Sequence, residues 1–263
     1  MIFDELIILV ANFQLLAVWK HVLRSKQMAS TENIVYTLLF SALTSHLFAI
    51  RQLVLLGFDI DAKAITRLLL EYVDLFHLLF EKPELCVEFH QAQSLTEANK
   101  FWHKYVSKGK LRSHVDAAMK KAFEGADQDF EQFRAWRQQE LQVLSGVSHA
   151  SFMGAYLSAA NGGYYRREGS GAFGNIDLIS IRTLRIAVVS IGEFLLVNGK
   201  RDFIRDLRFN AHADVSFAVE YIYGRQKFVI DLLLYVFEKE GGAKLRMPRQ
   251  RRAKKTSLSL RTS

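Results

Sequence analysis

The stretch Ile65–Phe80, ITRLLLEYVDLFHLLF, decides how this chain folds. Apolar residues recur on most of its sides at helical spacing, which is typical of a helix that is largely buried in a bundle. Three charges interrupt it, Arg67, Glu71 and Asp74. At about 100° per residue these three positions fall within roughly 60° of one another on a helix. The sequence therefore predicts a core helix with one narrow polar row.

This polar row has two interpretations. In the first, it faces water, and Arg67 and Glu71 form a surface pair worth a few tenths of a kcal/mol. In the second, it faces an interior polar centre, where carboxylates that share an arginine have perturbed pKa values and mark a site. Ser145 and His149 are the candidate partners of this row in such a centre. They are four residues apart in LSGVSHASF, so a continuous helix places them on one face.

The same serine and histidine also suggest a nucleophile and its base. A hydrolase serine usually sits on a sharp turn within Gly-x-Ser-x-Gly, and this motif is missing around Ser145. A structural role for His149, in which the ring hydrogen-bonds Ser145 or a backbone carbonyl, is the favoured interpretation.

The rest of the chain also favours helices. Half of its 263 residues are apolar, and Pro83 and Pro248 are its only prolines. A short strand within AFGNIDLISIRTLRIAVV is the one alternative to a purely helical pattern. We expect an all-α, multi-helix bundle of roughly seven to ten helices. Local signals support three of the boundaries, because Asp61 can cap a helix, Pro83 can end it, and Ser94–Glu97 has capping-box spacing. The helices are predicted at about 3–24, 31–57, 61–82, 84–92, 95–107, 110–124, 127–160, 176–197 and 201–240.

A glycine-rich segment interrupts this pattern at residues 161–175, NGGYYRREGSGAFGN. Glycine at this density favours turns, so the segment is expected to join two halves, 1–160 and 176–242, of one helical domain. The alternative is a lid or a nucleic-acid-binding loop. In that case the two tyrosines stack on bases, and Arg166 and Arg167 bind phosphates.

The net charge of +8 belongs to the C-terminal segment, residues 243–263. This segment holds 8 basic residues and no acid, whereas the other 27 basic residues balance all 27 acids. Such a segment cannot bury a core and is predicted to be disordered. It either attracts a nucleic acid or an acidic partner, or it only keeps the chain soluble. Its candidate phosphate contacts are Arg249, Arg251, Arg252, Lys254 and Lys255.

Several classes are disfavoured. Cys86 is the single cysteine, which precludes an intramolecular disulfide and fits a reducing cytoplasm. No histidine pair has ligand spacing, so neither a metal nor a cofactor is expected. Asp4 and Glu5 come early and no positive charge precedes the first apolar run, unlike a secretory signal. No window of about 18 uninterrupted apolar residues occurs, so no membrane span is expected.

Two motifs resemble known families. A helix with Arg-x3-Glu (Arg67 and Glu71), followed by a helix with Leu-Ser-x3-His (Ser145 and His149), resembles an uncharacterised bacterial family of all-helical proteins. The resemblance extends over roughly residues 60–160. It implies an all-α fold with a polar centre and no particular chemistry.

The second motif is RDLRFNAH, Arg205–His212. It is similar to the Arg-x4–6-His signature of the HEPN ribonucleases, whose two protomers bring two motifs together and cleave RNA without a metal. The resemblance implies that Arg205 binds the phosphate charge, that His212 transfers a proton and that Asp206 orients them. The chain would then be a homodimeric ribonuclease of toxin or phage-defence type. The alternative is incidental spacing in a non-catalytic module that binds nucleic acid or a protein through its basic tail.

Overall fold

A computed structural model describes residues 2–23, 30–122, 127–148 and 178–198, together with Asp231. These residues are mostly helical and include no strand, which confirms the predicted all-α bundle. A short π-helical turn, Trp102–Val106, follows the fifth helix. The α-helices of the described residues are α1 (Ile2–Leu23), α2 (Thr31–Leu55), α3 (Asp59–Glu81), α4 (Leu85–Gln91), α5 (Leu95–Phe101), α6 (Lys110–Ala122), α7 (Asp127–Ser148) and α8 (Leu178–Asn198).

Helix α3, which contains the stretch Ile65–Phe80, lies at the centre of the bundle. It packs against α2, α6, α7 and α8. Phe76 in its middle is fully buried, and its ring centroid lies 4.5 Å from that of Phe40 and 4.8 Å from that of Phe194. The apolar sides of α3 therefore meet a different neighbour in each direction, as a core helix requires.

Helix α2 runs antiparallel to both α1 and α3. Asp4 near the start of α1 forms an ion pair with Arg51 near the end of α2. The hydroxyl of Tyr36, early in α2, donates a hydrogen bond to the carbonyl of Leu79, late in α3, over 3.2 Å. A Schellman turn with Gly57 at φ 80° ends α2, because only glycine adopts this left-handed backbone without a steric cost.

Helices α7 and α8 also pack against α3. Thr183 near the start of α8 donates to the carboxylate of Asp59 at the start of α3 over 2.6 Å, so these two helices run parallel. Leu70 of α3 joins Leu144 and Ile186 in a second buried cluster. Leu70 contacts Leu144, whereas Asp74, one turn later in α3, pairs with Arg137 earlier in α7, so α3 and α7 run antiparallel.

Local sequence signals account for some helix ends and not for others. The capping box at Ser94–Glu97 is confirmed, because the Ser94 hydroxyl accepts from the Glu97 amide and the Glu97 carboxylate accepts from the Ser94 amide. The predicted cap at Asp61 is wrong, because α3 already begins at Asp59. The Asp59 carboxylate instead accepts from the buried side chains of Lys63 and Thr183. The short strand is also wrong over Leu178–Asn198, which forms α8.

Several sequence predictions fall on residues outside the described ranges. These are the glycine-rich segment 161–175, the helix predicted at 201–240 apart from Asp231, and the basic segment 243–263. The division into two halves and the disordered tail therefore stay predictions.

Helix α2 is long and apolar enough to cross a membrane, judged by length and composition alone. A core helix meets the same criterion, and one face of α2 is buried against α1 and α3. The buried side chains of α2 are Val35, Leu39, Phe40, Leu43, Leu47, Ile50 and Val54.

Candidate functional site

The three charges of the polar row on α3 lie in two different environments. The Nε atom of Arg67 is 3.3 Å from Oε1 of Glu71, and these side chains are 30% and 53% exposed. Asp74 is offset from Glu71 by about 60° around the helix. This offset turns its carboxylate under α6 and α7, where its side chain is only 11% exposed. The row thus supplies one surface ion pair and one buried carboxylate.

Asp74 belongs to a cluster of charged side chains where α3, α6, α7 and α8 meet. We call this cluster the ionic hub, and its members are Asp74, Arg112, Asp116, Arg137 and Glu193. Arg134 reaches the hub from the surface, with Nε 3.2 Å from Oδ2 of Asp116. With Arg134 included, three guanidinium groups balance three carboxylates. Such pairing is what makes ionised groups tolerable in a largely apolar interior.

Arg137 is the most enclosed cation of the hub, with a side chain 3% exposed. One of its terminal nitrogens pairs with Asp74 and the other with Glu193. Burial lowers the pKa of Arg137 to about 10; the adjacent carboxylate of Asp74 opposes this effect, and the charge of Arg112 adds to it. At neutral pH the guanidinium still carries its charge and joins α7 to both α3 and α8.

Arg112 closes the hub on the side that faces solvent, and its side chain is 22% exposed. Its Nη2 lies 2.5 Å from Oδ1 of Asp116 on its own helix and 3.4 Å from Oε1 of Glu193 on α8. Its Nη1 lies 3.5 Å from Oδ1 of Asp74 on α3. A single guanidinium therefore holds three carboxylates from three helices, which positions α6 relative to α3 and α8.

His77 lies three residues after Asp74 and is buried beside the hub. Its ring meets that of Phe194 edge to face, with centroids 5.0 Å apart. The pKa of His77 lies well below its ordinary value, first because burial disfavours the charged ring and then because of the positive charges of Arg137 and Arg112. His77 is therefore neutral at neutral pH.

We expect the stability of the protein to fall at mildly acid pH because of His77. The unfolded chain takes up a proton near the ordinary pKa of 6.5, while the folded ring stays neutral to a much lower pH. The unfolded state thus binds more protons in this window, so the free energy of unfolding decreases as pH falls below 6.5, by up to about 1.4 kcal/mol per pH unit. Urea titrations between pH 7 and pH 5 measure this slope.

The variant His77→Leu should lose this component of the pH dependence, because its buried side chain cannot titrate. The half-buried His90 provides a matched control, and His90→Leu should retain the slope of the wild type. Identical slopes in His77→Leu and the wild type would contradict the assignment.

Two further polar contacts hold α8 in place. Asp59, Lys63 and Thr183 form a buried group between α3 and α8. Glu140 of α7 accepts two hydrogen bonds from the Arg182 guanidinium, each 2.9 Å long. Such bidentate pairs add geometric specificity to their energy. The polar contacts of α8 therefore extend from its first turns to Glu193.

The structure brings together only part of the predicted polar centre. Ser145 is half-buried on α7, which continues through Gly146 to Ser148, whereas His149 lies outside the described residues. Contact between the polar row of α3 and the predicted serine–histidine pair stays a prediction. The predicted catalytic residues Arg205, Asp206 and His212 also lie outside the described ranges, so their roles stay predictions. The predicted nucleic-acid contacts, which are Arg166, Arg167 and the tail arginines and lysines, lie outside these ranges as well.

Most members of the hub carry no clear signal in the sequence. Arg112 and Arg137 stand in polar segments and resemble surface residues. Glu193 is an exception, because it is the only acid in the apolar run IAVVSIGEFLLV and a lone acid there must find a partner. Among residues 2–23, 30–122, 127–148 and 178–198, no group of three or more histidine, cysteine, aspartate or glutamate side chains is arranged to hold a metal ion.

The geometry of the hub suits a structural role, in which paired charges hold four helices together. Each of its carboxylates lies against a guanidinium, and the centre of the cluster is almost fully enclosed.

Comparisons of the chain with protein-family models, with curated proteins and with solved structures found no match.

Proposed function

We propose that this chain is a metal-independent ribonuclease of the HEPN type, which acts as a cytoplasmic homodimer in toxin or phage defence. The observation that carries the proposal is the motif Arg205-Asp206-x5-His212. The all-α bundle supports it, because the signature of the HEPN ribonucleases lies on a helix of such a bundle. The paired charges of the ionic hub are better suited to a structural role, so we assign the chemistry to this motif.

The proposed reaction is a transesterification within RNA. His212 removes the proton of a ribose 2′-hydroxyl, and the 2′-oxygen forms a bond with the adjacent phosphorus. The bond from phosphorus to the 5′-oxygen breaks, which leaves a 2′,3′-cyclic phosphate and a 5′-hydroxyl. The motif of the second protomer supplies the proton for the leaving oxygen. Arg205 stabilises the additional negative charge on the phosphoryl oxygens, and Asp206 orients the two side chains.

RNA integrity and growth test this proposal. Expression of the wild type should fragment cellular RNA and slow growth. The purified chain should leave 2′,3′-cyclic phosphate ends in the presence of EDTA. The variant Arg205→Ala/His212→Ala should lose the cleavage, because it lacks both the cation and the proton acceptor. A matched control, Arg67→Ala/His90→Ala, removes the same residue types outside the motif and should cleave like the wild type. Intact RNA with folded wild-type protein would rule out the ribonuclease.

A second candidate function is a non-catalytic module that binds nucleic acid or an acidic protein. It is favoured by the charge distribution, because residues 243–263 hold all of the net charge of +8. Binding of this kind depends on phosphate contacts and weakens steeply with salt. In a binding titration at low salt, a chain without residues 243–263 should lose nucleic-acid affinity. Unchanged affinity would exclude binding through the tail.

A further inference from the structure

The segment Ala98–Val115 carries cations and aromatic rings but no acid. It comprises the end of α5, the π-helical turn and the start of α6. Six of its basic and aromatic side chains are exposed on one continuous part of the chain. We call them the basic aromatic surface, and they are Lys100, Trp102, His103, Lys104, Lys108 and Lys110.

The backbone beneath this surface is held by several hydrogen bonds. The Ser107 amide donates to the carbonyl of Trp102 over 2.9 Å, which closes the π-helical turn. The Lys110 ammonium donates to the carbonyls of His103 and Lys104 over 2.9 and 3.1 Å, and so satisfies two acceptors at the end of the turn. Lys108 has φ 57°, which is uncommon for a residue with a side chain. Helical π-turns occur frequently at functional sites.

The π-helical turn presents Trp102 to solvent. Phe101 is buried in the main core and contacts the ring of Phe89, with centroids 5.3 Å apart. Since the next residue along a helix points about 100° away, Trp102 cannot enter the same core. Trp102 is 49% exposed, and its indole meets the ring of His103 edge to face, with centroids 5.0 Å apart. An exposed indole on a backbone that is held by hydrogen bonds offers a flat surface on which a planar group can stack.

The charges of the segment Ala98–Val115 are all positive. Lys104 pairs with Glu88 over 3.0 Å and lies 4.7 Å from the centre of the Tyr105 ring, so its position is defined. Lys100 stands one helical turn before Lys104, and Lys108 follows in the loop. The cations of this surface outnumber the adjacent carboxylates of Glu88 and Glu97, which favours an anionic ligand.

We propose that the basic aromatic surface binds single-stranded RNA, with a base stacked on Trp102 and the phosphates beside Lys100 and Lys108. A basic surface that also offers aromatic rings is the arrangement by which proteins bind single strands without strict sequence preference. The inference rests on the proposed function and deepens it, because it names where an RNA chain is held before cleavage.

Binding of a labelled 2′-O-methyl RNA oligonucleotide to the full chain tests the proposal. The 2′-oxygen of this probe is blocked, so fluorescence anisotropy measures binding without cleavage. Trp102→Ala should raise Kd by about 10-fold, since stacking on one aromatic ring contributes that much. Lys100→Glu/Lys108→Glu should raise Kd by at least about 10-fold at low salt, because it replaces two phosphate contacts with repulsion. A duplex of the same sequence should bind Trp102→Ala and the wild type equally.

Two control variants match these changes at other surfaces. Phe48→Ala removes an aromatic ring that is 55% exposed on α2, and Lys120→Glu/Lys121→Glu reverses two exposed charges on α6. Phe48→Ala should leave Kd within about 2-fold of the wild type, and the α6 reversal should raise it much less than Lys100→Glu/Lys108→Glu. An equal rise in Kd for Lys100→Glu/Lys108→Glu and Lys120→Glu/Lys121→Glu would overturn the proposal. Wild-type affinity in Trp102→Ala would also overturn it. So would Trp102-dependent binding to anionic lipid vesicles in place of RNA.

The blocked probe also separates this inference from the ribonuclease. Cleavage of natural RNA together with binding that does not depend on Trp102 would overturn the basic aromatic surface alone. Binding that depends on Trp102, without any cleavage, would support this surface and overturn the ribonuclease alone.

Discussion

Replacing Arg137 by methionine is expected to lower the free energy of unfolding by about 3–5 kcal/mol. The guanidinium pairs with both Asp74 and Glu193, and the Glu193 side chain is only 1% exposed. Methionine fills a similar volume but leaves the carboxylates without their buried cation, and this uncompensated charge is the main cost. Urea denaturation of the two proteins at neutral pH measures the difference.

The surface pair on α3 supplies a matched control for this substitution. Arg67→Met removes a guanidinium from a pair whose Glu71 side chain is 53% exposed. We expect a loss of no more than about 0.5 kcal/mol, because water solvates the remaining carboxylate. Adding Glu193→Gln to Arg137→Met should recover part of the stability, since the amide carries no charge. Equal losses in Arg67→Met and Arg137→Met would show that the hub is not energetically distinct from the surface.

Replacing Phe76 by alanine is expected to cost about 3–5 kcal/mol. The Phe76 side chain is completely buried on the central helix. Its ring lies between aromatic rings of α2 and α8, with centroids 5.5 Å from Tyr36, 4.5 Å from Phe40 and 4.8 Å from Phe194. Alanine removes the buried apolar surface and leaves a cavity that helices on two sides must close. Thermal and urea unfolding both report the loss.

Phe48→Ala separates the cavity from the general effect of removing a phenyl ring. Phe48 is on α2 and is 55% exposed, so its truncation removes little buried surface. We expect a change within about 0.5 kcal/mol. A loss in Phe76→Ala as small as in Phe48→Ala would contradict the central position of α3.

The described helices follow closely from local sequence patterns. The periodic segments predicted at about 31–57 and 110–124 correspond to Thr31–Leu55 and Lys110–Ala122. Their starts and ends depend on interactions within a few residues, such as the capping box at Ser94–Glu97. The start of α3 departs from this rule, because Asp59 has one partner nearby, Lys63, and a second, Thr183, far along the chain. A capping signal involves only residues a few positions apart in the sequence, so it could not predict the contact with Thr183.

The sequence by itself determined that α3 is a buried helix with a narrow row of charges, because spacing along a helix fixes the angles between its side chains. Only the tertiary structure decided that Arg67 and Glu71 meet water while Asp74 enters the ionic hub. The partners of Asp74 come from α6 and α7, and Glu193 joins the same cluster from α8. Periodicity describes one helix at a time, whereas the burial of a charge depends on the helices that pack over it and bring the opposite charges.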